Sequence, residues 1–190
     1  MSQDGVMCGL CSNNFCTEMG SVISYLWWGG QDPDAVNPKS GFSPRDIYNV
    51  QKSWKKVSAD GVASGTELLL RYFAAHPQYK NFFKMFKNIP NDDLRTNIQF
   101  NAHALNIVTT LTAIVDKLAE PELAAAMSKK IGVSHKPRKL TEVHFNDLKD
   151  ILVQLFIEVF KFDQETMKSW VKVVTFIYTN AFSELNKNQD

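Results

Sequence analysis

The chain has 190 residues, enough for one domain with a well-filled core, since a domain of this size buries roughly two-thirds of the surface that its unfolded chain exposes. Its formal net charge of +1, from nearly equal numbers of acidic and basic residues, excludes the strongly basic surface typical of nucleic-acid-binding proteins. The sequence contains no run of about 18 apolar residues, so it predicts no membrane-spanning segment. We therefore expect a soluble protein.

Residues 1–42 are rich in glycine, serine, asparagine and aspartate, and this composition predicts an N-terminal extension without a core of its own. The three cysteines of the chain, Cys8, Cys11 and Cys16, all lie in this extension. A Cys-x2-Cys pair with a third cysteine suggests zinc or redox chemistry, but it is one ligand short of a structural zinc site. The other interpretation is a tail with reduced thiols. Because no secretory signal precedes the cysteines, we predict a cytoplasmic protein.

An acylation pattern lies within the extension, where Gly20 directly follows Met19 and Ser24 stands four positions after the glycine. If synthesis starts at Met1, Gly20 has no free amine and the pattern is inert. If a second transcript starts at Met19, Gly20 can carry myristate as a lipid anchor. One acyl chain binds membranes only marginally, so palmitate on the cysteines is the expected second signal in the longer form. Membrane association is expected only if Gly20 or these cysteines are acylated.

The helical part begins at Ser43, which can cap a helix, with Pro44 in the first helical position and Asp46 near the positive end of the helix dipole. Apolar residues then recur every three or four positions in several segments, the last two at 141–161 and 163–186. The signals that separate the segments are Gly61, Pro77, Pro90, Pro121 and Pro137. No alternating pattern typical of strands occurs. The sequence therefore predicts an all-α domain at 43–187, followed by a tail at 188–190.

Two histidines lie on the apolar faces of neighbouring predicted helices. His103 shares a stripe with Ile107 at helical spacing, and His135 extends a stripe that includes Ile131. A titratable ring on a buried stripe needs a reason for its position. Two imidazoles that face inward from adjacent helices suggest a group held between them.

Residues spread over the whole helical part carry a family resemblance. They are Trp54, Gly65, Leu69, Pro77, Phe83, His103, Ile107, His135, Phe145 and Trp170. With an interval of 32 residues between His103 and His135, the chain resembles a globin over residues 43–187. Within the globins it is most similar to the cytoglobin and neuroglobin group and to the intracellular globins of insects. The resemblance implies the globin fold, a helical sandwich around haem b, with His135 as the proximal iron ligand and His103 on the distal side.

The residue types agree with a haem site, because haem is a flat apolar disc that needs aromatic and aliphatic walls and one nitrogen ligand. The residues predicted to form the walls are Leu69, Phe83, Phe86, Ile107, Ile131, Leu140 and Phe145. The second ring nitrogen of His135 is expected to donate to an oxygen at Ile131 or Ser134, which would fix the tautomer.

Basic residues follow the proximal candidate, and Lys136, Arg138 and Lys139 are expected near the haem propionates. On the distal side, Asn106 departs from the globin pattern, in which a basic residue often stands three positions beyond the distal histidine. The distal propionate contact of other globins therefore has no obvious counterpart here.

Small residues and the two remaining histidines are expected to support the fold. Gly65 and Ala104 let the second helix cross the distal helix closely, as in globins; the alternative is a tolerated glycine in a helix interior. His76, at a helix end before Pro77, is predicted to be structural. His144, near the start of the sixth helix, is predicted to lie at the rim of the pocket rather than to bind the iron.

The distal residue His103 leaves two outcomes open: it can donate a hydrogen bond to bound dioxygen, or it can be a sixth ligand of the iron. The resemblance to cytoglobins favours the second outcome in the absence of a gas. We predict a protein that reversibly binds dioxygen for storage, transport, facilitated diffusion or sensing, with carbon monoxide and nitric oxide as further gas ligands. The alternatives are a nitric oxide dioxygenase or weak peroxidase that needs an external reductant, and a haem-free interaction module. Both a monomer and a dimer agree with the sequence.

Overall fold

The structure, a computed structural model, describes residues 27–187. The chain divides into two compact units, Met1–Ala35 and Val36–Asp190. Of the first unit only residues 27–35 are described, and they consist mainly of turns. The three cysteines, Met19, Gly20 and the tail at 188–190 lie outside the described residues, so the zinc and acylation interpretations remain predictions.

The second unit is built from helices, and its described residues contain no strand. The α-helices are α1 (Pro44–Ser58), α2 (Gly61–Ala75), α3 (Asn91–Leu94), α4 (Ile98–Val115), α5 (Pro121–His135), α6 (Glu142–Glu158) and α7 (Gln164–Leu185). Two short 3-10 helices, Pro77–Phe82 and Lys136–Arg138, follow α2 and α5. The prediction of an all-α fold is confirmed.

Local hydrogen bonds and backbone conformation set the helix ends. The backbone N–H of Ser43 donates to Oδ2 of Asp46 over 2.9 Å, and the N–H of Asp46 donates to Oγ of Ser43 over 3.3 Å, so the two residues cap α1 reciprocally. Further along the chain, α6 stops at Glu158, before the predicted end at residue 161. The turn that follows contains Lys161 with a φ of 53°, a left-handed conformation that ends helices.

Two tryptophans join α1, α4 and α7 in the core. The rings of Trp54 and Trp170 are both buried, with centroids 5.5 Å apart. The indole N–H of Trp54 donates to Oγ1 of Thr112 over 2.8 Å, and that of Trp170 donates to Oγ of Ser53 over the same distance. Both buried donors are therefore paired, as a stable core requires.

The segment before α1 belongs to the helical unit. Phe42 is fully buried and packs edge-on against Phe176 of α7, with ring centroids 5.3 Å apart. The structure thus groups residues 36–42 with the helices, whereas the sequence interpretation assigns them to the extension. The difference arises because one buried phenylalanine does not change the polar composition from which the extension is predicted.

Two glycines allow helices to touch backbone to backbone. A methyl group at Gly65 of α2 would overlap the carbonyl oxygen of Ala104 in α4, so the expected close crossing of these helices is confirmed. A methyl group at Gly132 of α5 would likewise overlap the carbonyl oxygen of Ala181 in α7. These contacts position α4 and α5, the two helices that carry His103 and His135.

By length and composition, α4 is long and apolar enough to cross a membrane, with 18 residues and a mean hydropathy of 1.2. This differs from the sequence-based expectation that no segment spans a membrane. The same composition is found in core helices, and α4 packs against α2 at Gly65 and buries Phe100, Val108 and Ile114. A single helix of this kind is weak evidence for a membrane span.

Candidate functional site

A cavity of about 580 Å³ lies between α2, α4, α5, α6 and α7. This volume falls in the range of roughly 300–1,000 Å³ that is typical of small-molecule and cofactor sites. The predicted site residues that line it are Leu69, Phe83, His103, Ile107, Ile131, His135, Leu140 and Phe145. A more open groove of about 590 Å³ lies between residues 39–41, α5 and α7, but it contains no histidine. The cavity with the two histidines is therefore the candidate site.

Phe86 is the predicted wall residue that the structure places outside the cavity lining. It is buried behind Phe83, with the two rings nearly parallel and their centroids 5.1 Å apart. The rings of Phe83 and His103 pack edge to face, at a centroid distance of 5.3 Å and an interplanar angle of 67°. Phe86 thus packs behind Phe83, and its ring also contacts that of His103, at the longer centroid distance of 6.2 Å.

The ring of His135 is held by hydrogen bonds at one nitrogen. Nδ1 lies 2.8 Å from the carbonyl oxygen of Ile131 and 3.0 Å from Oγ of Ser134. A carbonyl oxygen only accepts, so we assign the proton to Nδ1, which leaves the lone pair on Nε2 for a ligand bond. Phe145 packs against the ring at a centroid distance of 5.2 Å. The oxygens of Ile131 and Ser134 are the two that the sequence predicts as partners of this nitrogen.

Electrostatics keep His135 neutral. Burial lowers the pKa of its imidazole; the hydrogen bond to Ile131 acts in the opposite direction, and the charge of Arg138 lowers the pKa further. The net result is a pKa below the ordinary value for histidine. A neutral imidazole is the form that binds a metal ion.

His103, on α4, is a half-buried histidine in the wall of the same cavity. Burial is the largest cause that lowers the pKa of its ring, and electrostatic interactions with His135 and Arg138 lower it further. Both histidine rings line the same cavity. At neutral pH the His103 ring therefore has one N–H donor and one lone pair, so it can either donate a hydrogen bond or bind a metal ion.

The basic side chain in the cavity wall is Lys130, which the sequence analysis does not select. Lys136, Arg138 and Lys139 lie beyond the lining, and the Arg138 guanidinium donates to the carbonyl oxygen of Ser134. They follow the end of α5 at His135, where the chain continues into the 3-10 helix Lys136–Arg138, and their predicted contact with the propionates stays a prediction. The signal from which Lys130 can be found is its helical spacing, since it lies three positions after Met127 and four before Ser134, which line the same cavity.

Three tyrosines also line the cavity, and the sequence analysis does not select them. The hydroxyl of Tyr72 donates to the carbonyl oxygen of His144 over 2.9 Å, and that of Tyr178 donates to the carbonyl oxygen of Phe145 over 2.8 Å. Burial is the main cause that raises the pKa of both phenols, so they are neutral. The third, Tyr79, donates to Oδ2 of Asp147 over 2.6 Å.

The two remaining histidines have packing contacts. His144 caps α6, since its Nδ1 accepts from the backbone N–H of Thr141 over 3.0 Å, and it also lines the cavity. His76 follows the end of α2 and stacks on Tyr79 with ring centroids 5.0 Å apart. The contacts of His76 agree with the structural role expected for it, and His144, which is predicted to lie at the rim of the pocket, is part of the cavity wall.

The part of the chain that encloses the cavity matches a known protein family. The globin family model matches residues 66–181, which include both cavity histidines. The chain therefore belongs to the globin family and has the haem-binding globin fold. The predicted resemblance is confirmed.

Known globins that are similar to this chain include vertebrate and insect proteins. Cytoglobin-1 of Danio rerio is 25% identical over 153 residues, which are 78% of this chain and 84% of that protein. Globin CTT-V of Chironomus thummi piger is 29% identical over 136 residues, which are 70% of this chain and 81% of that protein. The solved structure of the hexa-coordinate hemoglobin of Drosophila melanogaster is 25% identical, with a TM-score of 0.71, and the match covers 74% of this chain and 94% of that one.

Proposed function

We propose that this globin holds haem b in the cavity and reversibly binds dioxygen, with His135 as the proximal ligand. The observation that carries the proposal is the fixed orientation of His135, whose Nδ1 is hydrogen-bonded to the carbonyl oxygen of Ile131 while its ring lines an apolar cavity that His103 also lines. The residues present fit the group, because they combine a neutral imidazole, aromatic and aliphatic walls and a cation, Lys130. When bound, haem supplies an iron that takes dioxygen, carbon monoxide or nitric oxide.

His103 would determine whether the protein supplies a sixth ligand to the haem iron. Its lowered pKa keeps the ring neutral, so one nitrogen has a lone pair for a sixth ligand bond. The Drosophila relative is described as hexa-coordinate, which supports the same arrangement in this chain. An external gas then has to displace His103, and its apparent affinity falls by the fraction of molecules in which the position is open. Once displaced, the His103 N–H can donate to the gas.

Oxygen equilibrium measurements on the haem-reconstituted protein test the proposed function. Absorption spectra should change reversibly between the deoxygenated and oxygenated forms over repeated cycles. His135→Gly should lose the normal spectrum and regain it when imidazole is added, because free imidazole replaces the missing ligand. Irreversible oxidation in the first cycle would contradict reversible dioxygen binding, and an unchanged His135→Gly spectrum would contradict the ligand assignment.

A weak peroxidase is the second candidate function, and the three tyrosines in the cavity wall favour it, because phenols are one-electron donors. Nitric oxide dioxygenation remains a further prediction. Either reaction needs a reductant for turnover. Sustained, reductant-dependent consumption of a hydroperoxide or of nitric oxide would support an enzyme. A stoichiometric reaction that then stops would support a carrier.

For the location of the protein we propose the cytoplasm, with membrane association if translation from Met19 exposes Gly20 to myristoylation. The acylation pattern in the sequence supports this proposal. Mass spectrometry of the native N-terminus tests it. Myristate on Gly20 is the expected result for a form that starts at Met19, and finding only Met1-derived, unacylated ends would contradict the anchor.

A further inference from the structure

The three tyrosines in the cavity wall differ in the group that accepts their phenolic hydrogen bond. Tyr72 and Tyr178 donate to backbone carbonyl oxygens, which do not take up a proton near neutral pH. Tyr79 donates instead to the carboxylate of Asp147, over 2.6 Å. Among the tyrosines of the described chain that line the cavity, Tyr79 is thus the one with a base at its hydroxyl.

The surroundings of Tyr79 connect the cavity with solvent. The ring lies between two imidazoles, stacked on His76 at 5.0 Å with an interplanar angle of 9° and in contact with His144 at 4.5 Å. Nδ1 of His76 lies 3.7 Å from Oδ2 of Asp147, and both side chains are about a quarter exposed, at 28% and 26%. One side of this aromatic cluster therefore faces the cavity and the other faces water.

The phenol is protonated at rest. The hydrogen bond to Asp147 is the main cause that raises the pKa of Tyr79, because loss of the proton would place two negative oxygens side by side. Removal of an electron reverses this preference, since an oxidised phenol is a strong acid. Asp147 is then in position to accept the proton over a distance at which proton transfer is direct.

We propose that Tyr79 is an oxidisable residue that passes electrons from an external reductant to the haem, with Asp147 as the acceptor of its proton. The inference rests on the proposed function, because the electron acceptor is a haem that hydrogen peroxide has oxidised while being reduced to water. One electron leaves the Tyr79 ring for the haem, the O–H bond of Tyr79 breaks, and the proton moves to Oδ2 of Asp147. A neutral phenoxyl radical and a neutral carboxylic acid remain.

A reductant in the solvent returns Tyr79 to its starting state. A one-electron reductant of the ascorbate class supplies an electron to the Tyr79 radical, and the proton returns from Asp147 to the phenolic oxygen. Each passage delivers one electron to the haem and leaves Tyr79 and Asp147 unchanged. The partial exposure of His76 and Asp147 gives such a small reductant access to this cluster.

Freeze-quench electron paramagnetic resonance of the ferric holoprotein, mixed with hydrogen peroxide, tests the proposal. The variants are Tyr79→Phe, which keeps the ring and its stacking, and Asp147→Asn, which keeps a hydrogen-bond acceptor of the same size but removes the base. Tyr178→Phe is the matched control, because it removes a cavity-lining phenol that has only a carbonyl acceptor. The Soret band of each variant shows that haem is bound.

The wild type and Tyr178→Phe should form a tyrosyl radical, and Tyr79→Phe should lose most of the signal. In Asp147→Asn the radical should form at least about tenfold more slowly, because the positioned base is gone. Ascorbate should also return the oxidised haem to the ferric state more slowly in both variants. A normal Soret band with a full tyrosyl signal in Tyr79→Phe, or with an unchanged rate in Asp147→Asn, would overturn this inference alone. The absence of a Soret band in the wild type would overturn the proposed function and the inference together.

Discussion

The backbone of Gly132 in α5 lies directly against the carbonyl oxygen of Ala181 in α7, with no room for a side chain between them. Gly132 is buried and precedes His135 by less than one helical turn. The contact therefore sets the position from which the proximal histidine enters the cavity. Substitution at this glycine is expected to move the proximal side of the site.

We expect Gly132→Ala to destabilise the protein by about 1–3 kcal/mol, because overpacking forces α5 and α7 apart. The iron–histidine stretching frequency, measured by resonance Raman spectroscopy, should also shift. Gly61→Ala is the control, since its added methyl would meet only the side chains of Leu105 and Val108, the nearest atom at 3.1 Å. Equal stability of Gly132→Ala and the wild type in urea would contradict this account of the helix contact.

The buried indole of Trp54 gives a second prediction. Thr112→Val keeps the shape of the side chain but leaves the Trp54 N–H without its acceptor, so it should cost about 1–3 kcal/mol of unfolding free energy. Thr175→Val is the matched control, because the Thr175 hydroxyl is exposed and bonds only within its own helix. Chemical denaturation of both variants measures the difference. Similar stabilities for the two variants would show that the hydrogen bond across the core contributes little.

The carboxylate of Asp46 predicts a pH dependence of stability. Burial raises the pKa of Asp46, but hydrogen bonds from Lys172, the Ser43 backbone and Ser169 together outweigh it, and the pKa lies below its ordinary value of 3.8. The folded state therefore favours the ionised form. This stabilisation is present above the unfolded pKa and is lost as the pH falls through the lower folded pKa.

Asp46→Asn should therefore be less stable than the wild type at pH 7 by about 1–3 kcal/mol, and the difference should shrink below pH 4. Lys172→Met removes the same ion pair from the other side and should show a smaller effect of the same sign, since Lys172 is 45% exposed. Urea denaturation at pH 7 and pH 3 provides the measurement. A constant difference in stability between Asp46→Asn and the wild type over this pH range would contradict a lowered pKa of Asp46 in the folded protein.

Lys130 in the cavity wall predicts slower loss of haem in the wild type than in Lys130→Ala. If its ammonium group pairs with a propionate, removal should cost up to about 1 kcal/mol, or roughly fivefold in the rate of haem transfer to an acceptor apoprotein. Lys168→Ala, which removes an exposed lysine paired with Glu165, is the control. Identical transfer rates for the two variants would exclude this contact.

The features that the sequence predicts well depend on residues close together in the chain. The start of α1 follows from Ser43, Pro44 and Asp46, because a cap is formed by neighbouring residues. The oxygens that hold Nδ1 of His135 lie one and four positions before it, so helical geometry alone predicts them. Helical spacing also places His103 and His135 on the apolar faces of neighbouring helices, whereas their separate roles toward an iron depend on the family resemblance.

The features that the sequence analysis does not predict depend on distant packing. Phe83 and Phe86 are the same residue type and lie three positions apart, so the sequence does not distinguish them. The course of the chain after the 3-10 helix Pro77–Phe82 places Phe83 at the cavity and Phe86 behind it. Gly132 has no distinguishing local pattern, since its role depends on where α7 crosses α5. The carboxylate at Tyr79 likewise comes from α6, far along the chain.

The absorption spectrum of the deoxygenated ferrous protein, compared with that of His103→Leu, tests most directly whether His135 and His103 hold haem from both sides. The account predicts resolved α and β bands in the wild type, typical of six-coordinate iron, and a single broad band in His103→Leu. The same high-spin spectrum in both proteins would contradict ligation by His103, and the absence of a Soret band in both would contradict the haem site itself.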